Sequence, residues 1–179
     1  MKELSLNILD IAMNSVKAGA KKVSIILEET EEKLTLSISD DGCGMSEEQV
    51  KGVTDPFFTT RTTRNVGLGI PLLKLAAEQT GGRMSVESSN RPEDHGTVTK
   101  AEFYKNHIDF TPLGDVVSSI TTLIQGAPEI NWVFVHSMPA GSVELDTEEL
   151  KAVLGDVPLD NFEVIKWIGD YLKEGYESI

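Results

Sequence analysis

Asp10, Asn14 and Lys17 recur at i, i+4 and i+7 within LDIAMNSVKAGA, Leu9 to Ala20. On a helix that spacing puts an acid, an amide and an amine on one face. A purely solvated face favours charged side chains, and Asn is a poor helix former, so Asn14 in mid-helix needs a reason. An amide oxygen suits a hard cation such as Mg2+, which keeps waters and takes phosphate oxygens as further ligands. Leu9, Ala12, Met13, Val16 and Ala20 form the expected apolar face of this helix, and Gly19 its expected stop.

Two glycine-bearing stretches extend the chemistry. DDGCGM, Asp40 to Met45, follows a strand pattern. It reads either as an ordinary turn or as a nucleobase pocket. In a pocket, Asp40 would accept from an exocyclic amine, while Gly42 and Gly44 let the backbone approach the ring. A calcium loop is rejected, because only Asp40 and Asp41 precede the glycine and oxygens at alternate positions are missing. NVGLGIPL, Asn65 to Leu72, falls short of a dinucleotide fingerprint: Leu72 occupies the third glycine position and no strand precedes it. Gly67 and Gly69 opening a helix still describe a phosphate cradle, where backbone amides and the helix N-terminus meet an anion. Arg61 and Arg64, just before it, are either solvated loop charges or phosphate contacts.

The elements that must position these groups are readable in outline. Lys22–Glu28 and Lys33–Ser39 read as strands of a hairpin, the second alternating Leu34, Leu36 and Ile38 with Thr35, Ser37 and Ser39. Ser46 and Gln49 have capping-box spacing ahead of a short helix. Asp55–Val66 has no clean period and reads as a loop. A helix follows to Gly81–Gly82, then two strands around a polar loop, Ser89–Gly96. Beyond Lys105 the pattern predicts a helix capped by Thr111 with Pro112 at its first position. A hairpin around Met138–Gly141 and two helices follow. Asp160 and Glu163 cap the last of these. Phe162, Ile165, Trp167, Ile168 and Leu172 are its packing face. No linker separates the two halves, and the expected organisation is a unit over 1–105 with a small α/β annex over 106–179.

Composition narrows the partners. The 179 residues carry a formal net charge of -13, which repels phosphate backbones and anionic membrane surfaces; nucleic acid and membrane are therefore not expected partners. The 40% apolar content suffices for a core. The single cysteine, Cys43, excludes an internal disulfide, fits a reducing cytosol and is expected as a small buried filler. MKELSLN lacks a signal-peptide core, and no run approaches the ~18 apolar residues of a membrane span, so a cytoplasmic protein is expected.

The order of these motifs adds information that no single one carries. A helix with Asn14, a hairpin ending in DDGCGM, then DPFFTT, a Gly-x-Gly helix and GTVTKAEF together resemble the GHKL superfamily of ATPases, over about Leu4 to Phe103. That superfamily joins gyrase, heat-shock-90 chaperones, mismatch-repair MutL proteins and histidine kinases. The resemblance implies an α+β fold: a two-layer α/β sandwich of the Bergerat type, a mixed sheet with helices on one face. It implies ATP and Mg2+ as cofactors, with Asn14 as the metal ligand, Lys17 near the phosphates, and Asp40 on adenine with help from Thr97. Gly42, Gly44, Gly67 and Gly69 would shape the pocket walls, and Met45, Phe58, Thr59, Arg61, Arg64 and Leu68 join the nucleotide contacts. DPFFTT resembles the phenylalanine box of histidine kinases, and NSVK their Asn-x-x-Lys; NSVKAGA also resembles the MutL box.

Two departures shape the functional expectation. Where MutL and gyrase-type ATPases place a catalytic Glu, four residues before the Asn, this chain has Asp10, one methylene shorter; it is the candidate base or only a water orienter. His95, His107 and His136 do not sit in the helical, acid-flanked setting of a phosphoacceptor. The expectation is a cytoplasmic Mg-ATP-binding kinase or ATPase module regulating a protein partner, with a homodimer possible. The alternative is a nucleotide-gated binding module without hydrolysis. A dehydrogenase is a weaker third reading.

Overall fold

The computed structural model describes residues 3–54 and 68–179. Helix α1, Leu4–Lys17, leads into strands β1, Lys22–Glu29, and β2, Lys33–Asp40. The short helix α2, Glu47–Val53, is followed by α3, Gly69–Gln79, and by strands β3, Arg83–Ser89, and β4, Gly96–Tyr104. The remainder is α4, Val116–Gly126; β5, Asn131–Met138; β6, Gly141–Asp146; α5, Thr147–Leu154; and α6, Phe162–Glu177.

The six strands among the described residues form one sheet in the order β3-β4-β2-β1-β5-β6. Its pairs are antiparallel except β1–β5, which runs parallel with Lys22 opposite Asn131 and Ile25 opposite Phe134. Strands after Lys105 thus extend the sheet that earlier strands begin. Along β1, Val23, Ile25 and Leu27 are buried; along β2, Leu34, Leu36 and Ile38. This alternation gives the sheet one apolar face, which the helices cover, as the α+β two-layer expectation requires. The core joins Leu4, Ile8 and Ile11 of α1, Leu73 of α3 and Ile120 and Leu123 of α4 with those strands.

The buried face of α1 differs from the expected one. Leu4, Ile8, Ile11, Ala12 and Ser15 face the sheet, whereas Met13 is 39% exposed and Leu9 and Val16 are half-buried. Two apolar stripes share this helix, and the core selects the one that also brings Ser15 inward. The helix stops as expected. Gly19 has φ 75°, its N–H donates to Val16 O, and Ala20 N–H donates to Ser15 O, the pair of bonds that satisfies the last carbonyls.

Three further local expectations fare differently. The capping box at Ser46 and Gln49 forms, with both reciprocal bonds present. The helix expected at Pro112 instead begins at Val116, capped by Asp115, whose carboxylate accepts from Ser118 N–H. Residues 112–113 are instead engaged by the start of α1. Their carbonyls accept from Leu4 and Ser5 N–H at 2.9 and 2.8 Å, and so cap α1. The last helix is capped by Asn161 rather than Asp160. Its packing face is Val164, Ile168 and Leu172, while Phe162 and Trp167 are 80% and 51% exposed. Trp132 is buried in the core.

A polar network ties α6 to the sheet. His136 of β5 is buried, and its Nδ1 lies 2.7 Å from Tyr176 Oη and its Nε2 2.9 Å from Glu29 Oε1. Lys105 Nζ completes the network on Glu29 Oε2 at 3.0 Å. Burial pushes the Glu29 carboxyl up, but the bonds and charges of Lys105 and His136 outweigh it and hold it below the usual carboxylate value. Burial pushes the His136 imidazole down, and the bond and charge of Glu29 offset this only in part. The Tyr176 hydroxyl is pushed well up by burial and by Glu29.

Both Glu29 and His136 therefore bind protons less readily folded than unfolded, so acid destabilises the protein through each of them. Through these groups stability is expected to be full between about pH 6.5 and 10, to fall below that range as His136 is forced to charge, and to fall again below about pH 4.5 through Glu29. The slope is at most about 1.4 kcal/mol per pH unit for each proton taken up. Denaturant unfolding at a series of pH values checks this, with His136→Gln flattening the decline between about pH 6.5 and 5. An unchanged slope in that variant contradicts the assignment.

Candidate functional site

The DDGCGM turn is held from three sides. Asp41 Oδ1 accepts from Lys21 and Lys22 N–H at 2.7 and 3.0 Å, and Cys43 N–H donates to Ala18 O at 2.9 Å, anchoring the turn to the end of α1. Burial tends to raise the Asp41 carboxyl, but the backbone donors of Lys22 and Lys21 lower it on balance. On the third side, Met45 N–H donates to Ser88 Oγ at 2.8 Å, and His95 Nδ1 lies 2.7 Å from Gly42 O. Gly44 has φ 74°, and a Cβ there would lie 1.7 Å from Ser89 O. Only glycine fits this crossing of turn and strand.

These contacts shape a cleft of about 300 Å³ between α1 and the ends of β2 and β4. Ile11, Ile38, Ile70 and Met45 supply apolar wall; Asn14, Lys17, Asp40, Thr97 and Thr99 supply polar groups. The half-buried Asp40 accepts from Ser15 Oγ at 2.6 Å and from Gly42 N–H at 2.8 Å. Each of its oxygens is thereby oriented, yet each keeps a lone pair for a further donor. Thr97 Oγ1 lies 2.8 Å from Ser88 Oγ, which also contacts the turn. A largely apolar cleft with a fixed carboxylate in its lining suits an aromatic heterocycle carrying an amine.

The cleft is also lined by Asn14, whose Nδ2 is buried with no hydrogen-bond partner among the described residues. A buried amide N–H without a partner costs about 1–3 kcal/mol, so its retention at the cleft fits a ligand that accepts a hydrogen bond from it. Its donor set, an amide beside an amine at Lys17, fits a metal-bound phosphate chain. Asn7, a turn pair earlier on α1, is 1% exposed with both amide atoms likewise unpartnered. Asp10 is exposed on the same flank, and Gly69 packs on it: a Cβ at Gly69 would lie 3.2 Å from Asp10 Cβ. This contact brings the N-terminus of α3 onto the Asp10–Asn14 stripe.

The structure thus gathers Asn14, Lys17, Asp40, Gly44, Met45 and Thr97 around one cleft, with Gly42 in the turn behind it and Gly69 against Asp10. Leu68 is exposed and caps α3 without a side-chain bond. Phe58, Thr59, Arg61, Arg64 and Gly67 lie outside the described residues. Cys43, expected as a buried filler, is instead exposed and lines the cleft. Four contributors lay outside the sequence reading: Ser15, Ser88, Thr99 and His95. Ser15 had a signal, since it follows Asn14 directly and so falls on the sheet side of α1. His95 reaches Gly42 across 53 residues, and no local pattern announces that contact. Among the described residues no helix is long and apolar enough to cross a membrane, and no group of three His, Cys, Asp or Glu could hold a metal ion.

The family model "Histidine kinase-, DNA gyrase B-, and HSP90-like ATPase" matches residues 1–118. Sporulation kinase E of Bacillus subtilis (strain 168) is 32% identical over 98 residues, which are 55% of this chain and 13% of that protein. The C4-dicarboxylate transport sensor protein DctB of Pseudomonas aeruginosa is 29% identical over 89 residues, 48% of this chain and 14% of its own. The match therefore spans about an eighth of these relatives' length. A crystal structure of the N-terminal domain of a DNA repair protein aligns with TM-score 0.54 at 15% identity, over 82% of this chain and 52% of that one. That likeness concerns fold alone, and it takes in more of the chain than residues 1–118. From the matched segment, which exceeds half the chain and contains the whole cleft, this protein belongs to the histidine kinase-, DNA gyrase B- and HSP90-like ATPase family and carries a histidine-kinase-like ATP-binding domain.

Proposed function

We propose that the cleft binds Mg-ATP and that the protein works as a cytoplasmic kinase or ATPase module regulating a protein partner. The observation that carries the reading is Asp40, fixed by Ser15 and Gly42 in a largely apolar cleft that Asn14, with its buried and unpartnered Nδ2, also lines. Asp40 accepts from the adenine amine. Guanine presents a carbonyl oxygen in that place, and two acceptors would face each other without a donor, so GTP is rejected. Asn14 holds Mg2+, and Lys17 lies at the phosphates; Arg61, Arg64 and Gly67 are the further phosphate-side candidates. Bound Mg2+ neutralises charge on the transferring phosphate, and the protein otherwise positions the groups. Residues 1–105 form the nucleotide unit in this reading, and 106–179 the annex that presents a surface to the partner; a homodimer is compatible with it.

Thermal melts with nucleotide test the binding step. ATP with Mg2+ at about a hundred times its dissociation constant is expected to stabilise by about 2.7 kcal/mol, and GTP to do nothing at that concentration. Equal stabilisation by both, or undiminished stabilisation of Asp40→Ala by ATP, overturns the reading.

A second reading is favoured by Asp10. It is exposed and one methylene shorter than the glutamate of hydrolysing relatives, which suits a protein that holds ATP as a gate without turnover. Phosphate release separates the two: turnover abolished by Asp10→Asn supports the enzyme, and background release in both proteins supports the gate.

A further inference from the structure

β6 is an edge of the sheet: among the described residues it pairs with β5 alone, in the register Val135–Glu144 and Ser137–Ser142. An edge strand exposes a row of unpaired backbone donors and acceptors unless something covers it. The helix beside it carries an unusual flank. Trp167 and Tyr171 of α6 are stacked, with ring centroids 5.2 Å apart and planes 13° apart, and are 51% and 43% exposed. Exposed stacked aromatics of this size are uncommon on a surface that buries nothing with them.

The roll of α6 places this pair. A Cβ at Gly169 would lie 3.8 Å from Thr121 of α4, whereas one at Gly175 would lie 3.2 Å from Val143 of β6. At about 100° per residue, Trp167 and Tyr171 fall on the flank turned away from α4, beside Gly175. They therefore overhang the free edge of β6. Glu163, Asp170 and Glu174 are their neighbours around the helix. On the other face of β6, Ser142 and Glu144 are exposed, while Val143 and Leu145 turn to the helix layer and are buried. From Gly141 to the end the chain has ten acidic and three basic residues.

We propose that this edge binds an extended, cationic segment of a partner protein by strand addition. Backbone bonds to β6 supply the affinity. Alternate side chains of the added strand point to opposite faces. Those on the helix side are apolar and pack beneath Trp167 and Tyr171 beside Val143 and Leu145. Those on the other side are arginine or lysine and meet Glu144, and an arginine at the flank can stack on Trp167 and reach Glu163. The charge also argues against a second copy as occupant, since each copy carries -13.

A peptide of about ten residues alternating valine and arginine is the probe, and the same peptide N-methylated along one backbone edge is the control. Trp132 is buried, so a shift in tryptophan emission reports Trp167. Calorimetric titration reads the affinity of both proteins, and the expected result is saturable binding, with a blue shift in the wild type, weakened at least about tenfold by N-methylation and by the double variant Trp167→Ala/Tyr171→Ala, with slowed hydrogen exchange at β6 amides. Both substituted residues are exposed, so circular dichroism of the variant is expected to be unchanged. Absence of saturable binding, equal binding of the N-methylated peptide, or indifference to the double variant overturns the proposal. Sedimentation that finds a dimer dissolved by the double variant overturns it too, in favour of a second copy.

Discussion

Gly44→Ala is expected to lower ATP affinity at least about a hundredfold, equivalent to about 2.7 kcal/mol. Two effects combine. The left-handed backbone at φ 74° costs a non-glycine residue about 1–2 kcal/mol. The added Cβ also meets Ser89 O at 1.7 Å, and a backbone carbonyl in a strand cannot swing aside as a side chain would. The turn or the end of β3 must move. Either movement stretches the Met45–Ser88 bond and shifts the wall against which the base would lie. Gly19→Ala is the matched control: its φ is 75°, but nothing lies within 4 Å of its Cβ. It is expected to lose about 1 kcal/mol of stability and no nucleotide affinity. Calorimetric titration with thermal melts of both proteins checks the pair. Near wild-type ATP binding by Gly44→Ala contradicts the place given to this turn.

Asn14→Ala is expected to remove the Mg2+ dependence of nucleotide binding. With magnesium the wild type gains at least about tenfold in ATP affinity over magnesium-free buffer, and the variant gains nothing. Adenosine, which has no phosphate to share a metal, is expected to bind both proteins alike. Turnover, measured as phosphate release or transfer, falls about a hundredfold or more, because a metal held there would supply several kcal/mol of transition-state charge stabilisation. The variant is also expected to fold well, since the amide it removes has a buried nitrogen with no partner to lose. Asn14→Asp keeps an oxygen for the metal and retains part of the magnesium gain. An Asn14→Ala protein that still responds to magnesium removes the residue from the metal site.

Much of the fold was legible because its signals are local. Leu34, Leu36 and Ile38 alternate on β2, and Ser46 with Gln49 closes α2 within four residues. What was not legible depends on distant neighbours. Two apolar stripes compete on α1, and periodicity weights Leu9, Met13 and Val16 as heavily as Leu4, Ile8 and Ile11; only the sheet distinguishes them. Thr111 and Pro112 have good helix-start chemistry, but the α1 N-terminus draws on the carbonyls of 112 and 113 instead. At the site, residues with unusual types, such as Asn14 in a helix or the glycines after Asp40, stood out. Ser15, Ser88 and His95 did not. A serine or a loop histidine is common, and its meaning lies in a partner 25 to 53 residues away.

The parallel pairing of β1 with β5 bears on how the chain is made. Every residue lining the cleft lies at or before Thr99, whereas β5 spans Asn131–Met138. At roughly 5–20 residues per second, a ribosome delivers the whole nucleotide cleft a few seconds before the strand that completes its sheet. For that interval β1 is a sheet edge carrying Val23, Ile25 and Leu27 beneath a helix layer that still lacks α4 and α6. The nascent nucleotide domain is born with an open flank, and the order of synthesis makes β5 its seal.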